Sequence, residues 1–486
     1  MMGKAILAID EGTTNSKAVL VSHEGDIIAS ASAPVPISHP RSGWVEQDAG
    51  EIWRATSKAI AECLKKAPDT EIAALGISNQ RESILIWDRN TGRPLGPVVS
   101  WQCRRTADAC RGLREAGHEA DVIARTGLPL DPMFPATKIA WLLQNHGHEQ
   151  ADICIGTVDS WLIWKLSGEV HATDCSNAAR TQLFNLSEGR WDEDLCSLFG
   201  VDPAMLPNVF DSSHIFGATS GVGVLPDGIP IAAAIGDSHA ALFGHGAFSS
   251  GDGKITFGTG SSVMKTIADY IVPPDGITTT IAWSLDGRPT YAFEGNILVS
   301  ASIFPWTADL LGLDGVEALL ELARSVDDTG GVTLVPAHVG LGAPHWDADA
   351  RGLVCGLSFS TRPAHVARAA AESLAFQVHD VFSIMADAGG DVGRISVDGG
   401  PSRNRFLMQL VADYIDRPVT PCRNAEASAM GAAHLAGLAV GFWPDIEALA
   451  ELASREPEIR PATTAARRNA SIASWTKAIA RTTLPV

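Results

Sequence analysis

An α/β protein of two similarly built halves with a cleft between them is the architecture this sequence predicts. Three observations carry the prediction. Short glycine turns close apolar runs at three places: Asp10-Glu11-Gly12-Thr13-Thr14, Phe257-Gly258-Thr259-Gly260-Ser261 and Asp398-Gly399-Gly400-Pro401-Ser402. The length of 486 residues exceeds what one hydrophobic core serves. The second half also opens as the first does, on a strand ending in a glycine turn. Glycine in such a turn admits positive φ and lets backbone N–H groups approach an anion, while a neighbouring hydroxyl or carboxylate handles phosphate oxygens or a metal. One such turn is only a turn; one early and two late describe a two-sided clamp.

In chain order, Lys4 to Asp10 reads as a first strand, Ser16 to Ser22 as a second and, after the turn His23-Glu24-Gly25-Asp26, Ile27 to Ala31 as a third. Ile52, Trp53, Thr56, Ile60, Cys63 and Leu64 then share one face of a helix starting near Ala49, and Ile72 to Ser78 follows as a strand. A meander followed by helix and strand departs from the alternation of a dinucleotide-binding domain. The Gly-x-Gly-x-x-Gly fingerprint and the Gly-x4-Gly-Lys-Ser/Thr loop are both absent. Further on, Ile229 to Ile235 is a strand before a helix over Ala240 to Gly244. Lys254 to Phe257 and Ile395 to Val397 are strands ending in glycine turns, the latter before a helix from about Ser402 to Ile415. Glycines and serines cluster between Gly246 and Gly253, which places the division at 1–247 and 248–486.

Composition narrows the partners. With 37 basic and 56 acidic residues the net charge is −19, and no Lys/Arg run tracks a phosphate backbone, so neither nucleic acid nor an anionic membrane is an expected partner. The apolar stretch before Asp10 is too short for a signal peptide, which points to the cytoplasm. The eight cysteines are scattered, without a Cys-x-x-Cys pair, and read as buried residues or idle thiols.

Three clusters can carry chemistry. Asp10 ends the first strand beside Thr13 and Thr14, where a carboxylate either holds Mg²⁺ bridged to phosphate or simply shapes the turn. Asp237, in Ile235-Gly236-Asp237-Ser238-His239, is either a helix N-cap or a general base. In Asn79-Gln80-Arg81-Glu82-Ser83, Arg81 and Glu82 read as a surface pair or as donor and acceptor for polyol hydroxyls. Trp101 is then a flat wall for that ligand, or a core aromatic.

The segments Gly43-Trp44-Val45-Glu46-Gln47-Asp48, Asn79-Gln80-Arg81-Glu82, Trp101-Gln102-Cys103-Arg104-Arg105-Thr106, Met133-Phe134-Pro135-Ala136-Thr137-Lys138-Ile139-Ala140-Trp141 and Gly340-Leu341-Gly342-Ala343-Pro344 together identify a resemblance. The chain resembles the FGGY carbohydrate kinase family, and within it the glycerol kinases, over nearly its whole length. That resemblance implies two ribonuclease-H-like domains of the actin/hexokinase ATPase type with a central cleft. The first would carry the polyol and phosphate sites and the second the nucleotide site. It implies ATP and Mg²⁺ as cofactors, a small polyol or sugar as substrate, and dimers or tetramers as common assemblies.

Carried over residue by residue, the resemblance makes Asp237 the base and Asp10 the Mg²⁺-linked carboxylate. Thr13, Thr14, Asn15 and Lys17, with Gly258, Thr259 and Gly260, face phosphates; Gly400 and Asn404 lie by the adenosine. Substrate contacts fall to Arg81, Glu82, Trp101 and Asp237. At the remaining substrate positions the chain departs from the glycerol kinases: Met133 replaces a tyrosine, Ser238 a glutamine and Ser262 a phenylalanine. Lys17 likewise stands for an arginine and Glu11 for a glutamine. The smaller side chains leave room for a four- or five-carbon polyol or ketose of the erythritol, threitol or xylulose type beside glycerol. Two readings of another class, an actin-like ATP-binding scaffold and a non-catalytic sugar sensor, stand as alternatives. The scaffold does not explain Arg81, Glu82 and Trp101, and the sensor does not explain Asp10 with Asp237.

Overall fold

In the computed structural model, which describes residues 3–147, 152–390, 392–423, 426–452 and 456–483, the first apolar run forms strand β1 (Lys4–Glu11), followed by β2 (Asn15–Ser22) and β3 (Ile27–Pro34) in an antiparallel meander. Helix α1 (Ala49–Lys66) starts where the Asp48 carboxylate accepts from the Glu51 N–H, and buries Ile52, Thr56, Ile60 and Cys63. The chain returns as β4 (Glu71–Asn79), parallel to β1. After α2 (Pro135–His146), strands β5 (Ser213–Ala218) and β6 (Pro230–Gly236) complete a sheet ordered β5-β6-β4-β1-β2-β3.

Helix α3 (Asp237–Gly244) leads into a second sheet built from β7 (Gly253–Phe257), β8 (Ser261–Ile267), β9 (Thr278–Leu285) and β10 (Arg288–Ile297). The long helix α4 (Pro363–Gly389), β11 (Ile395–Gly399), α5 (Arg405–Ile415) and β12 (Val419–Pro421) follow, and the sheet order is β9-β10-β8-β7-β11-β12. Each sheet therefore contains the same five-strand unit. A three-strand antiparallel meander continues from its first strand into two parallel strands: β3-β2-β1-β4-β6 in one and β10-β8-β7-β11-β12 in the other. This repeated unit is the ribonuclease-H-like core, and its duplication is the actin/hexokinase-type arrangement.

Parallel strands covered on both faces read as continuous apolar runs. In β1, Ala5, Leu7 and Ile9 pack with the α1 side, and Ile6 and Ala8 with the opposite side. That opposite side is covered by α6 (Ala427–Ala439), a helix from late in the chain. Its approach is close: a Cβ on Gly431 would lie 1.9 Å from the Ala240 carbonyl oxygen of α3, and one on Gly76 of β4 would lie 2.2 Å from the Ala432 carbonyl oxygen. The two halves of the sequence are thus interleaved at this crossing.

Two boundaries differ from expectation. Helix α3 begins at Asp237 rather than near Ala240, with Gly236 as N-cap, so the N-cap reading of Asp237 is replaced by a place in the first helical turn. The helix expected from Ser402 is broken into a 3₁₀ turn (Gly400–Arg403) and α5, because the Asn404 side chain accepts from the N–H groups of Phe406 and Leu407 and starts the helix afresh. No helix among the described residues is long and apolar enough to cross a membrane.

The α3–α6 crossing yields a direct test. A methyl group at residue 431 has no space and can be accommodated only by moving a backbone. Gly431→Ala is expected to destabilise the fold by about 2 kcal/mol, read as a lower thermal midpoint by circular dichroism. A midpoint equal to wild type would mean that the two helices have slack.

Candidate active site

The ends of the parallel strands of both sheets converge, as in open α/β sheets generally. Asp10 sits near the end of β1, where Ser78 Oγ of β4 donates to its Oδ1 at 2.9 Å. Burial raises the Asp10 carboxyl to about 6; the Ser78 hydroxyl works against this, and the neighbouring Asp237 charge adds to it. In the following turn the Gly12 N–H donates to the Asn15 carbonyl at 3.0 Å, and Asn15 Nδ2 to Thr14 Oγ1 at 3.1 Å. Trp101 Nε1 donates to Thr13 Oγ1 at 2.9 Å, which ties the expected substrate wall to the expected phosphate turn. Lys17 lies opposite Asp10 in the β1–β2 register and forms an ion pair with Glu426, just before α6.

A chain of alternating charges crosses between the sheets. Arg81 Nε donates to Asp237 Oδ1 at 3.1 Å, and Arg81 Nη1 lies 2.8 Å from Glu294 Oε1 on β10. Glu294 Oε2 is 2.8 Å from Arg180 Nη1, and Arg180 Nε donates to Glu82 Oε1 at 2.6 Å. Arg180 and Glu294 are fully buried. Burial alone would raise the Glu294 carboxyl, yet the guanidiniums of Arg180 and Arg81 hold it well below the usual carboxylate range. At the end of the chain Asp237 is 39% exposed. Its Oδ1 also accepts from the Ser238 N–H at 2.6 Å, while its Oδ2 has no hydrogen-bond partner among the described residues.

Three of the sequence-derived substrate segments meet at one ammonium. Lys138 of α2 is fully buried, and its Nζ donates to the carbonyls of Glu82 (3.2 Å), Ser100 (3.0 Å) and Met133 (2.6 Å). Burial pushes this amine down to about 7. Glu82 itself holds φ at 59°, a strained value for a residue with a side chain.

From the second sheet, the Gly258 N–H donates to the Gly260 carbonyl at 2.8 Å, and Ser300 N–H to the Thr259 carbonyl at 2.8 Å. Gly260 is needed for space, since a Cβ there would lie 2.4 Å from the Ile297 carbonyl oxygen. Positive φ, expected of the phosphate turns, occurs only at Gly399, and Gly12, Gly258, Gly260 and Gly400 adopt other conformations. Asn404, placed by the adenosine on resemblance, has its amide oxygen engaged by α5 and by Arg324 Nη2 at 3.0 Å. Ser238 Oγ donates to Ser262 Oγ at 3.3 Å, so these two residues do meet across the sheets. Beside them, the buried Lys254 Nζ donates to Ser238 Oγ at 3.3 Å and to Thr256 Oγ1 at 2.9 Å.

Sequence reasoning does not single out Arg180, Glu294, Lys138 or Lys254 as site residues. Lys138 lies inside the 133–141 segment that carries the family resemblance. For Arg180 and Glu294 the usable signal was a lone charge inside an otherwise apolar or small-residue stretch, as in Tyr291-Ala292-Phe293-Glu294-Gly295.

Residues 5–244 match the N-terminal domain of the FGGY family of carbohydrate kinases, and residues 253–440 match its C-terminal domain. The chain is 46% identical over 493 residues to an apulose kinase of Pectobacterium atrosepticum, covering 100% of this chain and 99% of that protein. It is also 46% identical over 453 residues to a glycerol kinase of Alkalilimnicola ehrlichii, covering 90% and 91% respectively. Among solved structures, Plasmodium falciparum glycerol kinase with ADP superposes with a TM-score of 0.95 at 29% identity, covering 100% of this chain and 99% of that one.

A buried ion pair joins α3 to the Asp398 turn, with His245 Nε2 2.9 Å from Asp398 Oδ2. Burial opposes charge on His245, but Asp398 and the neighbouring Cys422 raise its pKa from 6.5 to about 9. A raised folded-state pKa gives stability that is complete below about 6.5 and lost as pH rises through about 9. His245→Gln is therefore expected to be about 2 kcal/mol less stable than wild type at pH 6, with the gap narrowing towards pH 10. Denaturant midpoints at pH 6, 7.5 and 9.5 check this. A gap independent of pH would exclude the charged pair.

Proposed function

The chain belongs to the FGGY family of carbohydrate kinases, phosphotransferases with an alcohol group as acceptor, and we propose that it moves the γ-phosphoryl group of ATP onto a terminal hydroxyl of a small polyol or ketose, with Asp237 as general base. One observation carries this reading. Asp237 Oδ1 is fixed by Arg81 and the Ser238 N–H while Oδ2 stays without a partner among the described residues, so one oxygen is oriented and the other is free to take a proton.

The hydroxyl oxygen forms a bond to the γ-phosphorus as the bond to the β,γ-bridging oxygen breaks; the hydroxyl proton goes to Asp237 Oδ2 and ADP leaves. Arg81 holds Asp237 aimed through Oδ1, and Arg81 with Glu82 is placed to bind the hydroxyls nearest the reacting end. Trp101 and Met133 supply the wall of the pocket. The turns Thr13 to Lys17 and Gly258 to Gly260 offer N–H and hydroxyl donors to the phosphates, with Gly400 and Asn404 beside the nucleoside.

Mg²⁺ suits Asp10 on the chemistry of the donor set. Among the described residues no group of three or more His, Cys, Asp or Glu forms a protein-only cage. Mg²⁺ instead takes one or two carboxylates and completes its shell with water and phosphate oxygens. Bound there, it would neutralise charge on the phosphate oxygens.

Substrate size is the open choice within this reading. Met133, Ser238 and Ser262 favour a ketose or polyol longer than glycerol, and the apulose kinase relative supports that choice as strongly as the glycerol kinase relative supports glycerol. A non-catalytic sensor is disfavoured by the free oxygen of Asp237.

Asp237→Asn is expected to lower kcat by 10²-fold or more, a rough scale for losing a general base, while the Kd for ADP stays within about threefold of wild type. Isothermal titration and coupled ADP assays with glycerol, erythritol, xylitol, xylulose and apulose decide the matter. Near-wild-type turnover in that variant would remove Asp237 as base, and no acceptor-stimulated ADP release from wild type would favour the sensor.

A further inference from the structure

Three peptide planes from separate segments of the first half converge on one atom. Lys138 Nζ donates to the carbonyls of Glu82, Ser100 and Met133, and each of these carbonyls belongs to a peptide whose N–H is held as well. The Ser83 N–H donates to the Arg81 carbonyl at 2.8 Å, the Trp101 N–H to Ser83 Oγ at 3.1 Å, and the Phe134 N–H to the Asp131 carbonyl at 3.1 Å. A rigid plane fixed at both ends has little freedom to turn, so the side chains beside it are aimed. Those side chains are Glu82, Trp101 and Met133.

The donor count fits the task. Three carbonyls meeting in a dry site need three donors, and an ammonium supplies three and accepts none. Lys265 also gives its donors to carbonyls, but those of Met385, Gly389 and Gly390 all lie at the end of α4, where a helix leaves its carbonyls unpaired. The carbonyls on Lys138 come from three segments, and its bonds therefore set how those segments sit against one another. From the first turn of α2 the lysine side chain runs back past the helix start to Met133. One of the three peptides also follows a strained residue: Glu82 keeps its positive φ with its carbonyl on Lys138 and its carboxylate on Arg180. Without the ammonium, three carbonyl dipoles would face one another with no donor between them.

We propose that Lys138 is a positioning residue for the acceptor, its ammonium locking Glu82, Trp101 and Met133 into one piece so that the pocket wall keeps its shape while the acceptor is held at Asp237. This rests on the kinase reading above and deepens it. Lys138 itself touches no ligand and acts through the three segments. The phosphate turns meet these segments at the hydrogen bond from Trp101 to Thr13, so the nucleotide is little affected. The lock also titrates. Burial pushes the Lys138 amine down to about 7, against the charges of Glu82 and Asp131 and the thiols of Cys103 and Cys110 that face it. Loss of the proton leaves two N–H groups for three carbonyls, which loosens the wall as pH rises through about 7.

The test measures kcat and KM for whichever of glycerol, erythritol, xylitol, xylulose and apulose turns over best, with the KM for ATP, in wild type and Lys138→Met between pH 6 and pH 9. Lys138→Met is expected to lower kcat/KM for the acceptor about 10²-fold, mainly through KM, the scale of a misplacement of about 1 Å, with the KM for ATP within about threefold of wild type. In wild type the acceptor KM should rise about fivefold across the pH range, the scale of one hydrogen bond, and in Lys138→Met this rise should be missing. A merely structural role would lower kcat for want of folded enzyme and leave both KM values alone. That result, or equal changes in the two KM values, would overturn the positioning role while leaving the kinase reading intact. A wild-type acceptor KM independent of pH would overturn it as well, and that measurement stands if Lys138→Met does not fold. Absence of ADP release with every acceptor would overturn the kinase reading itself.

Discussion

The five-member charge chain Glu82–Arg180–Glu294–Arg81–Asp237 is the interaction on which the rest of the site depends. Four of its members are buried, and a buried charge without a partner is among the most destabilising features a fold can carry. Each arginine of the first half has one carboxylate partner within that half, and β10 of the second half delivers Glu294 between them as the partner they share. The second sheet is therefore held against the first by an electrostatic requirement at the cleft. Removing one partner of such a pair typically costs about 3–5 kcal/mol, far more than forming the pair gains over an apolar replacement. The chain also has a direction: it ends on Asp237, its most exposed member, so the buried charges orient the group that faces the cleft.

The close crossing of α3 and α6 does complementary work. Gly244 and Gly431 let backbone meet backbone, which brings the start of α6 to the start of α3. There Ser428 Oγ donates to the Asp237 carbonyl at 3.1 Å and Glu426 pairs with Lys17. One late helix thus fixes both the backbone carrying the candidate base and the cation across from Asp10. The lysine at residue 17 keeps a charge at that point but lacks the forked geometry of an arginine, and its pairing with Glu426 spends the one contact it makes best.

What could be read from the sequence was local. The strands β1, β2, β4, β6, β7 and β11 and the turns after them are legible because apolar runs, glycine and short polar residues carry strand and turn information within a few positions. The placements of Asp10, Arg81 and Asp237 at strand ends follow from the same signals. Arg180, Glu294, Lys138 and Lys254 were not legible, because a buried charged side chain is identical in sequence to an exposed one. Their partners are far away in the chain: Glu82 for Arg180, Arg81 for Glu294 and Ser238 for Lys254. The N-cap at Gly236 and the break at Asn404 were missed for a smaller reason, since each is a choice between neighbouring residues that backbone geometry decides. The expectation of positive φ in the phosphate turns also gave way: at Gly260 glycine serves close packing, and only Gly399 uses the left-handed region.

The chemistry of the pocket wall bears on how such a site can discriminate. An apolar wall distinguishes ligands by shape, and one methylene more or less is worth only about 1–3 kcal/mol, because the misfit is a small loss of contact. A wall of hydroxyls backed by a buried ammonium works differently. The ammonium fixes which way the hydroxyls point, and a ligand that cannot match that direction leaves a buried hydroxyl unpaired, a penalty of desolvation rather than of a missing contact. Ser238, Ser262, Thr256 and Lys254 form such a wall, facing an oriented carboxylate held by an equally buried guanidinium. The ammonium is fully buried behind these hydroxyls, so its part is to orient them, and the face they turn to the cleft is one of hydroxyl oxygens rather than of charge.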